Sequence, residues 1–211
     1  MIIAIDGAST DLSVALATVD GEPIGQDAWS SAMRQSAELL PHLLALLASS
    51  GRGLGETSAV AVGSGPGSFT GLRVAMALAK GLALSLDRPI VAVPSLVAWL
   101  EAEPGASAAV ARAGAREAYL LVRGDREPRI VDREALPEAV RTATVVAADE
   151  LATDFGLRAA RSPAAAGAIA RLAIARLAAE PAGDDLSHLE PIYLRAPRGV
   201  TADGGAEVKW L

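Results

Sequence analysis

The sequence predicts an α/β fold with mixed sheets flanked by helices. The first observation is a series of three strand-like segments near the N-terminus. The last two are joined by Asp20-Gly21, a strong hairpin signal because glycine tolerates a positive φ. The second observation is the alternation of apolar strand-length and helix-length segments that follows. A hairpin meander followed by crossover helices predicts antiparallel and parallel pairing within one sheet.

The N-terminal half predicts the element order β-β-β-α-β-α-β-α. The predicted strands are 1–8, 12–19, 23–29, 59–63 and 90–93. The predicted helices are 36–50, 70–86 and 95–102. We expect these elements to form a first lobe over residues 1–102.

A second, smaller lobe is predicted after Glu103-Pro104-Gly105, which has the composition of a hinge. Its predicted elements are strands 108–113, 118–122 and 144–148 and an alanine-rich helix over 164–180. We expect this lobe to cover 103–189. The C-terminal segment 190–211 is then expected to return to the first lobe, and 201–205 has the composition of a disordered tail.

Composition narrows the classes of protein to which the chain can belong. The absence of cysteine excludes disulfides and thiolate metal sites. A net charge of −6 argues against a protein whose main function is to bind nucleic acid. The apolar stretch 72–86 is interrupted by Arg73 and Lys80, so we expect it to be too short and too charged to span a membrane. No signal peptide is visible, and we expect a cytoplasmic protein.

The glycine-rich stretch 63–73 follows a predicted strand and opens a helix, the geometry of an anion site at a helix N-terminus. No Lys-Ser/Thr pair follows Gly71, so it is not a Walker P-loop, and its spacing differs from the dinucleotide fingerprint. On the residues alone, an anion or nucleotide contact and a structural turn are equally supported.

The helices 36–50 and 70–86 carry more apolar surface than one core-facing stripe needs. At about 100° per residue, the leucines of the first helix cover an arc of roughly 160°. Alanines at four-residue spacing on the second helix allow close helix–helix contact. Both helices could be ordinary core, or one flank could meet the sheet and the other a second subunit. The candidate interface residues are Leu39, Leu43, Leu46, Leu47, Leu72, Ala75, Met76, Ala79, Leu82 and Ala83.

The nine residues 65–73, GPGSFTGLR, closely resemble the signature of the TsaB (YeaZ) family of bacterial tRNA threonylcarbamoyladenosine biosynthesis proteins. The resemblance extends to Ile5-Asp6, to Leu39-Leu40-Pro41 and to 190–195. It implies the two-lobed fold of the actin-like ATPase superfamily, which is ribonuclease H-like.

The resemblance also implies a role without catalysis of its own. It implies a scaffold that activates threonylcarbamoyl transfer to the adenosine next to the anticodon of tRNA. The chain would do so by pairing its first-lobe helices with the catalytic paralogue TsaD, and it would work with the ATPase TsaE. The same surface would serve a homodimer, and tRNA would be reached only through the complex.

The resemblance further suggests where a nucleotide could touch the chain. In actin-like ATPases and sugar kinases, an acid and a glycine-rich turn after the first strand hold the phosphates and Mg²⁺. Asp6 and Ser9 would take that place, although Ala8 stands where those enzymes favour a second glycine. The structural alternative is a tight hairpin capped by Asp6 and Ser9. The candidate contacts for a weakly bound ATP or ADP are Asp6, Ser9, Gly65, Gly67, Ser68 and Thr70.

Two other functions stay open: an independent kinase or ATPase of the same fold, and a metallopeptidase-like protein. By resemblance, the two metal-binding histidines of the paralogue match Ser95 and Trp99, which cannot form that ligand pair. His42 and His188 are far apart in the sequence. We therefore expect no metal site, no resident cofactor and no catalytic residue.

Overall fold

The N-terminal part of the chain forms a five-stranded mixed sheet. In the computed structural model, the described residues are 1–31, 33–157 and 163–194. The strands are β1 (Ile2–Asp6), β2 (Asp11–Ala17), β3 (Pro23–Ser30), β4 (Ala59–Gly63) and β5 (Ile90–Val93). Their order is β3-β2-β1-β4-β5; β1 to β3 are antiparallel neighbours, and β4 and β5 continue parallel to β1.

A second sheet of four strands follows. Its strands are β6 (Ala108–Arg112), β7 (Glu117–Val122), β8 (Arg129–Asp132) and β9 (Val145–Val146). Their order is β8-β7-β6-β9, with β9 parallel to β6 and the other pairs antiparallel. Two mixed sheets flanked by helices form the actin-like, ribonuclease H-like fold, so the predicted fold class is confirmed.

Six α-helices lie in the described part of the chain, on both sides of the first sheet and against the second. They are α1 (Gln35–Ser49), α2 (Phe69–Leu86), α3 (Ser95–Ala102), α4 (Leu136–Ala139), α5 (Asp149–Asp154) and α6 (Ala166–Ala179). The alternation of β1 decides which helices each side chain meets. Ile3 and Ile5 pack in the core under α1 and α2, whereas Ile2 and Ala4 face α6.

The core under α6 is shared by the two sheets. It joins alanines of the first sheet, residues of α3 such as Trp99, and second-sheet residues such as Tyr119 and Leu121. Small side chains on both surfaces let the alanine-rich helix lie close to the strands. A third core, formed by residues such as Leu120, Leu136 and Leu151, covers the other face of the second sheet.

The end of the second lobe differs from the sequence prediction. Helix α6 was expected in a lobe ending at 189, but it packs across β1, β2, β4 and β5 of the first sheet. The chain has therefore returned to the first lobe by Ala166. The segment after α6 stays there, because Leu186 and Leu189 pack against the core under α1 and α2. The tail prediction for 201–205 lies outside the described residues.

The long elements and several short ones were predicted within two residues of their observed ends, and three short elements were missed. Strands β4 and β5 and helix α3 have the predicted ends. Strand β8 and helices α4 and α5 were not predicted, because they are too short to establish a period and lack the uninterrupted apolar run that marks β4 and β5.

Helix α2 has 18 residues and is long and apolar enough, by length and composition, to cross a membrane. The prediction that this stretch is too short is therefore wrong on length. Core helices pass the same test, and one face of α2 packs on the first sheet, with residues such as Leu72, Ala75 and Ala79 buried. This helix is weak evidence for a membrane span.

Candidate functional site

Two glycine-rich turns of the first lobe pack backbone against backbone. The amide of Ser68 donates to the carbonyl of Ala8 over 2.6 Å. A Cβ on Gly67 would lie 2.1 Å from that same carbonyl oxygen, and a Cβ on Gly71 would lie 2.2 Å from the carbonyl oxygen of Gly7. These glycines are explained by the contact between the turns, so they do not require a phosphate.

Asp6 is closed off inside this arrangement, with 1% of its surface exposed. Its Oδ1 accepts from the hydroxyl of Ser95 over 3.0 Å, and its Oδ2 accepts from the indole N–H of Trp99 over 2.7 Å. Burial raises the pKa of Asp6, against the opposing effect of these hydrogen bonds. Asp6 acts as an internal acceptor that ties β1 to α3, and its carboxylate does not line the interlobe cleft.

The other nucleotide candidates divide into two groups. Ser9, Gly67, Ser68 and Thr70 lie on the wall of a cleft between the two sheets. Ser9 also accepts from the amide of Asp11 and donates to its carbonyl, and the hydroxyl of Ser68 caps helix α2 by accepting from Gly71. Their hydrogen bonds to the chain favour the structural interpretation.

Gly65 is the sixth candidate and lies outside the cleft wall. Its φ is +93°, and a Cβ there would come within 2.7 Å of Cδ1 of Leu72. Its amide donates to the hydroxyl of Ser95. The turn therefore requires glycine at this position for conformational and packing reasons.

The cleft itself has a volume of about 590 Å³. One wall comes from the first lobe, through the turn at Ala8 and the start of α2, and the other comes from β6 and β7, including Ala111 and Tyr119. At its charged end, Arg112 pairs with Glu150 at 3.7 Å and also with Asp154. The described lining is mainly apolar.

The segment 190–194 closes one side of the cleft. The amide of Ile192 donates to the carbonyl of Ser64 over 2.7 Å. Arg73 of α2 donates to the hydroxyl of Tyr193 over 3.0 Å, and its guanidinium lies 4.2 Å from the centre of the Phe69 ring. The segment therefore lies against the glycine-rich turn of the first lobe.

The ten residues proposed for a partner interface are not surface residues. Nine are buried within this chain, in the cores on the two faces of the first sheet, and the tenth is partly buried. They are Leu39, Leu43, Leu47, Leu72, Ala75, Met76, Ala79, Leu82 and Ala83, with Leu46 partly buried. That assignment is wrong for the isolated chain, because the wide apolar arc includes the stripe facing the sheet as well as the outward one.

The outward sides of α1 and α2 nevertheless carry several apolar residues, beside polar ones such as Arg73 and Ser85. We call the apolar ones the outer face, and its residues are Ala37, Leu40, Pro41, Leu44, Ala45 and Ala48 of α1 with Ala77, Gly81 and Leu84 of α2. The exposed fraction is 39% for Leu40, 44% for Leu44 and 72% for Leu84. The two helices touch and cover the same side of the sheet.

Known proteins resemble this chain in both sequence and fold. The family model described as "TsaD: tRNA N6-adenosine threonylcarbamoyltransferase" matches residues 30–181. This match covers most of the chain, including α1, α2, the second sheet and α6. The chain belongs to the TsaD family.

Within the TsaD family, the resemblance to TsaB (YeaZ) is confirmed. The TsaB protein of Haemophilus influenzae is 45% identical over 64 residues, 30% of this chain and 27% of that protein. The TsaB protein of Escherichia coli is 38% identical over 96 residues, 46% of this chain and 41% of that protein. The matches therefore span less than half the length of these curated relatives.

A solved structure from Pseudomonas aeruginosa covers far more of the fold. It is described as a protein with similarity to peptidase YeaZ, it is 27% identical, and it superposes with a TM-score of 0.67. The match covers 92% of this chain and 99% of that one.

Sequence reasoning missed the partners of Asp6 and the glycine of the outer face. Ser95 and Trp99 lie 89 and 93 residues from Asp6, and no local pattern connects them. Gly81 did carry a signal, since a glycine inside an apolar helix is destabilising unless something requires it.

Proposed function

We propose that this chain is a non-catalytic subunit in the formation of threonylcarbamoyladenosine in tRNA. It activates a catalytic paralogue of the TsaD type by pairing with it through the outer face. Family membership supports the pathway, and the similarity to TsaB supports the subunit role. The observation that carries the pairing is the outer face itself.

The outer face has the properties of a helix-packing surface without a partner inside the described chain. Leucines at 40, 44 and 84 are exposed, and α2 adds the small exposed residues Ala77 and Gly81. An added Cβ on Gly81 would meet no atom within 4 Å, so nothing within the described chain requires glycine there. A second helix approaching closely at this position supplies a reason for it.

Because the chain matches the family model of the transferase, the partner surface is expected to be built on equivalent helices. If equivalent helical surfaces pair with each other, the result is either a heterodimer with the transferase or a homodimer of this chain. Docking on one lobe of the partner would bias the orientation of its two lobes and so its active site. We further propose that an ATPase of the TsaE type joins this complex, and that tRNA binds through the transferase.

An independent kinase or ATPase is the second candidate, and the structure of the first turn opposes it. Such an enzyme needs an acid that is free to hold Mg²⁺ beside the phosphates. Both carboxylate oxygens of Asp6 are instead taken by Ser95 and Trp99, and Gly67 and Gly71 contact backbone. Steady Mg²⁺-dependent ATP turnover by the purified chain would favour this candidate.

The pairing is tested with two arginine substitutions at exposed helical alanines. Ala77→Arg places a charge in the outer face, and Ala175→Arg places the same charge on the exposed side of α6. We expect Ala77→Arg to weaken binding to the transferase at least tenfold, because a buried unpaired charge is costly, and Ala175→Arg to leave it unchanged. Size-exclusion chromatography and calorimetry with the purified transferase measure this difference.

The pathway is tested by reconstitution. Threonylcarbamoyladenosine is measured on tRNA with the transferase, the ATPase and the enzyme that makes the activated threonylcarbamoyl group, with and without this chain. We expect product only when the wild-type or Ala175→Arg chain is present. Full activity without the chain would overturn the subunit role, and full pairing by Ala77→Arg would overturn the outer face as the interface.

A further inference from the structure

The interlobe cleft concentrates the aromatic residues of a chain that has few of them. The whole sequence holds two phenylalanines, two tyrosines and three tryptophans. Four of these seven line the cleft: Phe69, Trp99, Tyr119 and Tyr193. Aromatic and aliphatic walls with few polar groups are typical of small-molecule sites, and a volume of about 590 Å³ lies within their usual range.

Tyr119 supplies an independent observation. It stands on β7 opposite Ala111 of β6 and lines the cleft with 7% of its surface exposed. Its hydroxyl has no hydrogen-bond partner among the residues that the structure describes. The ring is buried, but the hydroxyl is not among the buried unpartnered side-chain atoms, so it is accessible from the cleft and available to a molecule there. Burial raises the pKa of Tyr119, which keeps the hydroxyl protonated and able to donate at neutral pH.

The charge of the cleft restricts what enters it. Nη2 of Arg112 pairs with both Glu150 and Asp154, so two carboxylates offset the positive charge of this guanidinium. The turn at Ala8 and Gly67 is occupied by its own backbone packing, and the hydroxyl of Ser68 caps α2. A phosphate or carboxylate entering the cleft would meet Glu150 and an arginine already paired with two acids, so it would gain little electrostatic stabilisation in return for its lost hydration.

We propose that this cleft binds an uncharged, planar aromatic molecule that accepts a hydrogen bond from the hydroxyl of Tyr119. The ligand lies between the start of α2 and the strands β6 and β7, and so contacts both sheets. Its aromatic surface meets Phe69 and Tyr193 at the edge of the cleft. The inference does not depend on the proposed function, since it needs neither transferase nor tRNA.

The test uses prodan, an uncharged naphthalene ketone whose emission shifts to shorter wavelength in apolar surroundings. We expect saturable binding of one prodan per full-length chain, with its carbonyl accepting from Tyr119. Tyr119→Phe removes only the hydroxyl and should weaken binding about three- to tenfold. The same variant should unfold at the same or a higher temperature without ligand, because the hydroxyl has no protein partner to lose.

A second pair of variants locates the bound probe. Ala113 is partly exposed on the cleft wall, and Ala175 is exposed on α6 away from it. Ala113→Trp should fill the cleft and abolish saturable binding, whereas Ala175→Trp should bind prodan as the wild type does. Circular dichroism checks that both variants are folded. If Ala113→Trp does not fold, Tyr119→Phe still tests the proposal.

Competition tests the charge of the ligand. We expect adenosine, an uncharged planar molecule, to displace prodan at lower concentration than ATP with Mg²⁺ does. If ATP displaced prodan at a lower concentration than adenosine, the proposal that the ligand is uncharged would be wrong. The absence of saturable binding, or equal binding by the wild type, Tyr119→Phe and Ala113→Trp, would overturn the site.

Discussion

Gly67 and Gly81 show how differently two glycines of one helical region are constrained. A Cβ on Gly67 would lie 2.1 Å from the carbonyl oxygen of Ala8, whereas a Cβ on Gly81 would meet nothing within 4 Å. Gly67 is required by the fold of the chain itself. Gly81 is not, and the partner that we propose for the outer face would supply a reason for it.

The first prediction compares alanine at these two positions. Gly67→Ala should lower the free energy of unfolding of the isolated chain by about 1–3 kcal/mol, because backbone must move to admit the methyl group. Gly81→Ala should raise it by about 0.5–1 kcal/mol, since alanine restricts the unfolded chain and fits an exposed helix. Urea unfolding followed by circular dichroism measures both, and a stable Gly67→Ala protein would show that the two turns can separate.

The buried environment of Asp6 makes the stability of the protein depend on pH. Burial raises its pKa above the ordinary value of 3.8, so the native state holds its proton where the unfolded state has lost it. The stability that this proton confers is complete below pH 3.8 and is lost as the pH rises through the raised pKa.

The second prediction follows from that sign. The free energy of unfolding of the wild type, taken relative to Asp6→Asn, should decline with rising pH above 3.8 by roughly 1.4 kcal/mol per pH unit until the native carboxyl ionises. Unfolding curves of both proteins between pH 3 and pH 8 give the difference. Asp20→Asn on the exposed hairpin controls for the loss of one charge. A constant difference across this range would contradict the raised pKa.

At the scale of elements, the loop after α6 protects the outer edge of β5. Asp184 accepts from the amide of Ala92 over 2.6 Å, and its own amide donates to the carbonyl of Ile90. Arg176 of α6 donates to Asp184 and to the carbonyl of Ala92. Burial opposes ionisation of Asp184, but the hydrogen bonds from Arg176 and Ala92 outweigh it and lower its pKa. The loop thereby supplies the hydrogen bonds that a further strand would make.

The third prediction concerns this edge. Arg176→Ala should lower the free energy of unfolding by about 1–2 kcal/mol at neutral pH, since it removes charge-assisted hydrogen bonds that are only partly exposed. The loss should shrink as the pH falls through the lowered pKa of Asp184, because the protonated acid no longer favours the arginine. Arg141→Ala, which breaks an exposed pair with Glu138, should cost less than about 0.5 kcal/mol. If Arg176→Ala and Arg141→Ala lowered the free energy of unfolding equally, the hydrogen bonds of the loop to the edge of β5 would add no measurable stability.

At the scale of the whole molecule, the two sheets share a core. Ile169 of α6 is fully buried in the cluster that also contains Ala4 of β1 and Leu121 of β7. Helix α6 thus packs on the first sheet. Its buried residues also belong to the core that contains side chains of the second sheet. A division into two independent lobes does not describe this arrangement, and we expect the chain to unfold as one unit.

The fourth prediction tests that cooperation. Ile169→Ala should lower the free energy of unfolding by about 2–5 kcal/mol and shift the transitions of both sheets together, because the cavity lies in the shared core. Hydrogen exchange of amides in β1 and β7 during urea unfolding follows each sheet separately. Leu84→Ala on the exposed outer face is the control and should change stability by less than about 0.5 kcal/mol. Separate transitions for β1 and β7 would contradict a shared core.

The long elements, the fold class and the family could all be predicted from the amino-acid sequence. Local signals sufficed for these: the Asp20-Gly21 turn, the apolar runs of β4 and β5, and the motif at 65–73. Such features depend on backbone preferences and on spacing along the chain, and both can be recognised in a single sequence.

Which flank of each helix faces inward became clear only from the folded chain. The leucines of α1 form one wide apolar arc in the sequence, and the pattern does not distinguish its two flanks. In the structure, Leu39 and Leu43 are buried against the sheet, whereas Leu40 and Leu44 are exposed. The closure of Asp6 by Ser95 and Trp99 likewise depends on contacts across some 90 residues. Burial and hydrogen-bond partnership are properties of the packed chain, because they depend on where distant segments meet in space.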